Sequence, residues 1–129
     1  MARATVSSSG AEWATHIKTG RHELLSDEPQ ALGGQDAGPA PYDLLLASLG
    51  SCTAITLRMY AQRKQWTLRE VGIELSHHKE ENRSKIHRVI TLQGDLDEEQ
   101  RARLADIAER TPVTLTLKEA ADIHTELAK

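Results

Sequence analysis

Apolar residues concentrate between Pro41 and Lys64, and the rest of the chain is organised around that stretch. No charged residue occurs from Leu44 through Leu57, although 27% of the whole chain is charged. A helix that is apolar on all sides belongs in a protein core or in a membrane. A bilayer requires about 20 apolar residues, and this uncharged run has fourteen. The pattern therefore predicts a central core helix over residues 41–64, buried on nearly every side.

Three short segments ahead of this helix have the composition or the apolar–polar alternation of strands. They cover residues 4–8, 13–18 and 21–26, and a Thr19-Gly20 turn signal separates the last two. Together they predict an antiparallel meander. Residues 28–41, with three Pro and three Gly, predict a long irregular loop before the helix.

After the helix, residues 68–78 and 85–94 alternate around a polar segment at 77–84, which predicts an antiparallel hairpin with that segment as its tip. One face of the second strand carries Arg88 among aliphatic residues: Ile86, Ile90 and Leu92.

The last part of the chain contains a helix signal and a strand signal. Asp95 and Glu98 have the spacing of a capping box, and they predict an amphipathic helix to about Arg110, with a short helical turn within residues 111–117. Residues 122–127 alternate again and predict a final strand. The predicted order is β-β-β-α-β-β-α-β, an α+β fold with antiparallel sheets covering a central helix.

Length and composition narrow the function classes. The 129 residues predict a single domain over residues 1–129. A net charge of -3 without a basic run argues against a nucleic-acid partner, and no signal-peptide or membrane-spanning pattern is present, so a cytoplasmic location is expected. The six His residues and one Cys lack the spacings of a zinc site, and no phosphate loop occurs, so neither a metal nor a cofactor is expected.

Cys52 is the only cysteine, and it lies within the predicted core helix. A free cysteine is often an inert, small apolar residue. A reactive cysteine must be ionised, which requires a positive neighbour. Cys52 lies roughly 16 Å from Pro41 at the start of the predicted helix, too far for the helix dipole to act. An activating side chain must therefore come from elsewhere, and Arg21 and Arg88 are the candidates.

The segments Leu32-Gly33-Gly34 and Gly38-Pro39-Ala40-Pro41-Tyr42-Asp43-Leu44-Leu45-Leu46-Ala47-Ser48-Leu49-Gly50-Ser51-Cys52-Thr53-Ala54 resemble the signature of the OsmC/Ohr family of thiol-dependent peroxidases. The predicted element order is also similar. The closest subgroup is that of OsmC-like predicted redox proteins. The resemblance implies an intertwined homodimer in which a peroxidatic cysteine, here Cys52, reduces organic hydroperoxides and an external thiol restores it. It also implies an assisting arginine and acidic residue, which Arg21 and Asp43 match most nearly.

Two departures from the family pattern affect the expected mechanism. Thr111 stands where the family has its resolving cysteine, and Tyr42 occupies the acidic position ten residues before Cys52, with Asp43 next to it. Three hypotheses follow: a one-cysteine organic hydroperoxide peroxidase, a non-catalytic dimer that binds a small apolar ligand or senses peroxide, and a structural module with an inert cysteine.

Overall fold

The computed structural model describes residues 1–10 and 12–128, and its chain divides into two compact units, Met1–Ala47 and Ser48–Lys129. The α+β class and the predicted order of the first seven elements are confirmed. The final predicted strand is not observed. The prediction of a single domain stays a prediction.

The first unit contains a three-stranded antiparallel sheet in the order β1-β2-β3. Its strands are β1 (Thr5–Ser8), β2 (Thr15–Thr19) and β3 (His22–Ser26). Ile17 at the centre of β2 lies opposite Val6 on one side and Leu24 on the other, so the aliphatic residues of the three strands line up across the sheet. Trp13 precedes β2 and is 59% exposed. Its predicted inclusion in that strand was wrong.

The buried carboxylate of Asp27 organises the long loop that follows β3. Its Oδ1 accepts from the backbone N–H of Glu28 (2.7 Å), and its Oδ2 accepts from those of Gln35 and Ala37 (3.1 Å each). The hydrogen bond from Ala37, with those from the other two amides, holds the pKa of Asp27 below its ordinary value although burial opposes this. The loop also contains a 3-10 turn at Gln30–Leu32, where irregular structure was predicted.

The predicted central helix, α1, spans Pro41–Lys64. Pro41 occupies its first turn, where a missing N–H costs little. The carboxylate of Asp43 accepts from the backbone N–H of Ala40 at 3.3 Å, which is one half of a capping box. Arg63 and Lys64 lie in the last turn, where the helix dipole favours positive charge.

Only one side of α1 is buried, although its apolar sequence predicts burial on nearly every side. The buried positions recur about every four residues on one side: Leu49, Gly50, Thr53, Leu57 and Ala61. Ile55 and Met59 are each 55% exposed. The prediction that nearly every side is buried is therefore wrong for the single chain. By length and composition α1 could also cross a membrane, a test that core helices of soluble proteins pass as well.

The second unit pairs β4 (Thr67–Glu80) with β5 (Arg83–Asp95) in an antiparallel hairpin. Both strands extend into the segment predicted to be the tip. The turn is only Glu81-Asn82, and both residues have positive φ, as a two-residue type I′ connection requires. A bulge between Leu68 and Glu70 shifts the alternation by one residue, so Leu68 joins the apolar face.

Two helices follow the hairpin: α2 (Glu98–Ala108) and α3 (Pro112–Glu119). The capping box of α2 uses Asp97 and Gln100 rather than Asp95 and Glu98, because Asp95 is still paired with Thr67 in the sheet. α3 starts with Pro112 directly after Thr111 and is longer than the predicted turn.

Side chains from α1, α2 and the hairpin form the core of the second unit. Leu57 and Leu104 are fully buried, next to Ala108. Burying each of these leucine side chains contributes about 1.5–3 kcal/mol. Partly buried residues complete the cluster: Tyr60, Trp66, Leu68, Val71, Ile90, Leu92, Leu96 and Ile107. α1 packs closely on β4, because a Cβ added to Gly50 would lie 2.9 Å from a terminal methyl of Leu75.

Residues 121–128 form no helix or strand, which overturns the prediction of a final strand over 122–127. Ile123 is 88% exposed and Leu127 is 96% exposed. The alternating pattern is present, but a strand needs a neighbouring strand for its backbone hydrogen bonds, and no strand of the described chain pairs with this segment.

Candidate functional site around Cys52

Cys52 is a free, half-buried thiol in the second unit, in the middle of α1. It lies beside the buried side of the helix, because Leu49 and Thr53 are buried while Ser51 and Ile55 are exposed. Cys52 as a residue is neither fully enclosed nor fully exposed. The structure therefore does not have the fully enclosed cysteine that the inert interpretation would favour.

Thr53, the next residue along the chain, has a fully buried hydroxyl with defined hydrogen bonds. Its Oγ1 donates to the carbonyl oxygen of Leu49 at 2.7 Å, one helical turn earlier. The same oxygen accepts from Nη1 of Arg88 at 2.8 Å. With one donor and one acceptor role filled, the side chain of Thr53 is held in a single orientation.

Arg88 extends from β5 into the space between α1, α2 and α3. Its side chain is only 12% exposed. Besides Thr53, Nη1 donates to Oγ1 of Thr114 at 3.0 Å, and Nη2 donates to the carbonyl oxygen of Ala108 at 3.0 Å. The prediction that Arg88 lies on the aliphatic face of its strand is confirmed, since Leu75 lies opposite it on β4. None of its hydrogen bonds to the described residues ends on Cys52.

Thr111, which the sequence predicts to stand at the resolving-cysteine position, belongs to the same network. It is 1% exposed, and its hydroxyl lies 2.6 Å from that of Thr114. Three buried threonine hydroxyls and one guanidinium thus connect α1 to the beginning of α3. Among the described residues, every buried side-chain nitrogen or oxygen has a hydrogen-bond partner.

Glu109 closes the network on its exposed side. A carboxylate oxygen lies 3.7 Å from Nη2 of Arg88 and the other lies 2.7 Å from Nζ of Lys118. The hydrogen bond from Lys118, with smaller effects from the charges of Lys118 and Arg88, holds the pKa of Glu109 below its ordinary value. Glu109 is 61% exposed, so solvent weakens its pairing with Arg88.

Arg21 and Asp43, the other two predicted site residues, belong to the first unit. Arg21 is exposed in the turn between β2 and β3 rather than within a strand. Asp43 is exposed and caps the start of α1 through Ala40. It precedes Cys52 by nine residues on the same helix, a rise of about 13.5 Å. The roles of both residues stay predictions.

Two residues of this site were not predicted from sequence as members of a shared network. No hydrogen bond of Arg88 to Thr53 or to Thr114 was predicted from the sequence. The available signal was the arginine on an aliphatic strand face, since a buried guanidinium must find acceptors. No group of three or more His, Cys, Asp or Glu side chains in residues 1–10 and 12–128 is arranged to hold a metal ion.

The family profile described as OsmC-like protein matches residues 33–126. The match contains α1, the hairpin, α2, α3 and all the residues around Cys52. The chain belongs to the OsmC-like protein family. The resemblance seen in the sequence is thereby confirmed.

Solved structures of several family members have the same fold. An OsmC-like protein from Mycoplasma pneumoniae has a TM-score of 0.80 at 16% identity, covering 93% of this chain and 89% of that one. The organic hydroperoxide resistance protein OsmC of Legionella pneumophila, described also as a predicted redox protein, has a TM-score of 0.68 at 21% identity, with coverages of 92% and 89%.

The organic hydroperoxide resistance protein OhrB of Bacillus subtilis is similar at 24% identity and a TM-score of 0.63, covering 95% of this chain and 93% of that one. At these identities the likeness concerns the fold. No curated protein matches the sequence.

Proposed function

We propose that this protein is a thiol-dependent redox protein that reduces organic hydroperoxides through Cys52 alone. The observation that carries the proposal is the position of its only thiol. Cys52 is half-buried in the middle of α1, within the matched family region, on a fold similar to organic hydroperoxide resistance proteins.

In the first step, the thiolate of Cys52 attacks the terminal oxygen of the hydroperoxide. A sulfur–oxygen bond forms, the oxygen–oxygen bond breaks, and the alkoxide leaves and takes up a proton to become an alcohol. The sulfur is oxidised by two electrons to sulfenic acid, and the peroxide is reduced by two.

The second step requires an external thiol, because the chain has no other cysteine. The thiol condenses with the sulfenic acid, forming a mixed disulfide and releasing water. A second thiol then attacks that disulfide, which restores Cys52 and carries away the two electrons as an external disulfide. A reducing compartment such as the cytoplasm supplies such thiols, and we propose it as the location.

Arg21 and Asp43 are the proposed assistants of Cys52, by analogy with the arginine and acidic residue of the family pattern. Arginine is permanently charged and favours a neighbouring thiolate. Substituting Arg21 by Met should lower the peroxide rate at neutral pH more than at pH values where the thiol is already ionised. Arg3→Met, which removes another exposed arginine of the first unit, is the matched control.

We propose that the active form is a homodimer. α1 exposes Ile55 and Met59 by 55% each, and the C-terminal segment exposes Ile123 and Leu127 almost completely. Ile55 and Met59 are one helical turn apart, and adjacent exposed apolar side chains favour association with another chain. In such a dimer, a strand of the second copy would be available to pair with residues 122–127, whose strand pattern has no partner within the described chain.

Mass spectrometry after treatment with cumene hydroperoxide tests the cysteine chemistry. The wild-type protein should gain one oxygen atom on Cys52, lose it on addition of a small thiol, and consume many equivalents of peroxide when the thiol is in excess. Met59 is exposed and can gain the same mass, so peptide mapping must place the oxygen. Cys52→Ser should consume no peroxide, and unchanged consumption by this variant would exclude the proposal.

A second candidate function is a peroxide sensor or a non-catalytic dimer that binds a small apolar ligand. Thr111 favours it, because a buried, hydrogen-bonded threonine replaces the thiol that would complete an internal redox pair. A sensor would react once per chain and stop. A ligand-binding protein would bind its apolar ligand equally well after Cys52→Ser. The number of peroxide molecules consumed per chain with excess thiol distinguishes these from the peroxidase.

A further inference from the structure

Arg88 is buried at a position where an aliphatic side chain would avoid the free-energy cost of burying a charge. Its neighbours on the covered face of β5 are Ile86, Ile90 and Leu92, whereas its own side chain is a cation that is 12% exposed. Removing such a charge from water costs several kcal/mol unless it is paired. The carboxylate of Glu109 is 3.7 Å away and mostly exposed.

Neutral oxygens therefore supply the close contacts of this guanidinium, and each comes from a different helix. Thr53 belongs to α1, the carbonyl of Ala108 ends α2, and Thr114 lies in the first turn of α3. A guanidinium presents its donors in a rigid planar fork. Arg88 thus fixes the positions of these three groups relative to one another.

The contact with α1 reaches the residue that follows Cys52. Thr53 is fully buried and its hydroxyl is held from both sides, by Leu49 and by Arg88. Successive side chains point about 100° apart around a helix. Anchoring Thr53 therefore also fixes the direction in which Cys52 points.

We propose that Arg88 is a positioning residue for Cys52, acting through the hydroxyl of Thr53. The proposal rests on the proposed function, in which Cys52 is the reacting thiol. Since Thr111 offers no disulfide to connect α1 with α3, the Arg88 network supplies a non-covalent connection that persists while Cys52 is a thiolate, a sulfenic acid or a mixed disulfide. Displacing a reacting group by about 1 Å can cost on the order of a hundredfold in rate.

The test compares Arg88→Met, Arg88→Lys and Thr53→Val with the wild-type protein. Arg101→Met is the matched control, because Arg101 is also a partly buried arginine that donates to a backbone carbonyl, that of Leu92. Within the described chain, the hydroxyl of Thr53 is bonded to Leu49 and Arg88 and not to Arg101. For each variant, the rate of Cys52 oxidation by cumene hydroperoxide and the rate of alkylation by iodoacetamide are measured across pH, after circular dichroism has established folding.

Positioning predicts that the two rates separate. Arg88→Met should lower the peroxide rate at least about tenfold and the alkylation rate less than about threefold, because alkylation needs only an accessible thiolate. Thr53→Val should lower the peroxide rate in the same direction, and Arg88→Lys should recover part of it. Arg101→Met should change neither rate.

Equal changes in both rates, or no change in either, would overturn the positioning role, as would the same separation in Arg101→Met. If Arg88→Met does not fold, Thr53→Val decides the question by the same two rates. If wild-type Cys52 fails to react with hydroperoxides, the proposed function fails. The positioning role is then tested with a nitroxide label attached to Cys52, whose motion is compared between Thr53→Val and the wild type. A difference in motion would support the role, and identical motion would reject it.

Discussion

The hydroxyl of Thr111 lies 2.6 Å from the hydroxyl of Thr114, and both side chains are buried at the beginning of α3. Thr114 also accepts from Nη1 of Arg88 at 3.0 Å. The predicted position of the second thiol is therefore occupied by a side chain that already has a hydrogen-bond partner. In this chain Thr111 is part of a buried hydrogen-bond network.

Replacing Thr114 by Val should destabilise the protein by about 1–3 kcal/mol, because Thr111 and Arg88 would each lose a buried hydrogen-bond partner. The free energy of unfolding in urea, measured by circular dichroism, checks this. Thr116→Val is the matched control, since Thr116 is exposed on the same helix and its change should stay within about 0.5 kcal/mol. Equal effects of the two substitutions would contradict a stabilising role for the network.

Replacing Thr111 by Cys should convert the protein into a two-cysteine form. After one equivalent of cumene hydroperoxide, the sulfenic acid of Cys52 should condense with the new thiol, releasing water and leaving an intramolecular disulfide. The intact mass of the non-reduced variant then falls by two hydrogens. Thr116→Cys places a thiol on the exposed face of α3 and should give no intramolecular disulfide. A persistent sulfenic acid in Thr111→Cys would contradict the expectation.

Asp27 should make the conformation of the loop at residues 28–40 depend on pH. Its pKa is lowered in the folded protein, chiefly by the N–H of Ala37. A carboxyl whose folded pKa is depressed stabilises the fold fully above its unfolded pKa of about 3.9. That contribution is lost as the pH falls further, through the folded value. Hydrogen-exchange protection of the amides of Gln35 and Ala37 should therefore stay constant above about pH 4 and decrease as the pH falls below it, after correction for the intrinsic exchange rate.

Asp27→Asn should show reduced protection of the same two amides even at neutral pH, because a neutral amide oxygen accepts these hydrogen bonds more weakly than a carboxylate. Asp36→Asn is the control. Asp36 is an exposed residue of the same loop with a positive φ of 55°, a conformation that Asn adopts readily. Protection that is insensitive to Asp27→Asn would contradict the role assigned to this carboxylate.

Met59→Lys should weaken the proposed homodimer. Met59 is 55% exposed on the uncovered side of α1, and a lysine placed in an apolar interface must be desolvated without a partner. Light scattering at increasing protein concentration should find a dimer for the wild type and a monomer for the variant. Arg63→Lys, near the end of the same helix, preserves charge and should leave the mass unchanged. A monomeric wild type would exclude the dimer.

The sequence by itself determined the elements whose signals are local. The long apolar run with Pro41 at its start and Lys64 at its end fixed α1, because helix capping and the hydrophobic effect act on neighbouring residues. Two-residue alternation located the hairpin and placed Arg88 on its covered face. The family motif around Cys52 also lies within one continuous segment.

Only the tertiary structure decided the contacts between distant segments. The hydrogen bonds of Arg88 to Thr53 and Thr114 cross 35 and 26 positions of the chain, and nothing in local pattern specifies such pairs. The prediction of a final strand was wrong for the same reason. Residues 122–127 have the alternation of a strand, but a strand forms only where another segment pairs with it. α1 likewise has the composition of a helix enclosed on all sides, and packing decided that Thr53 is covered while Met59 is not.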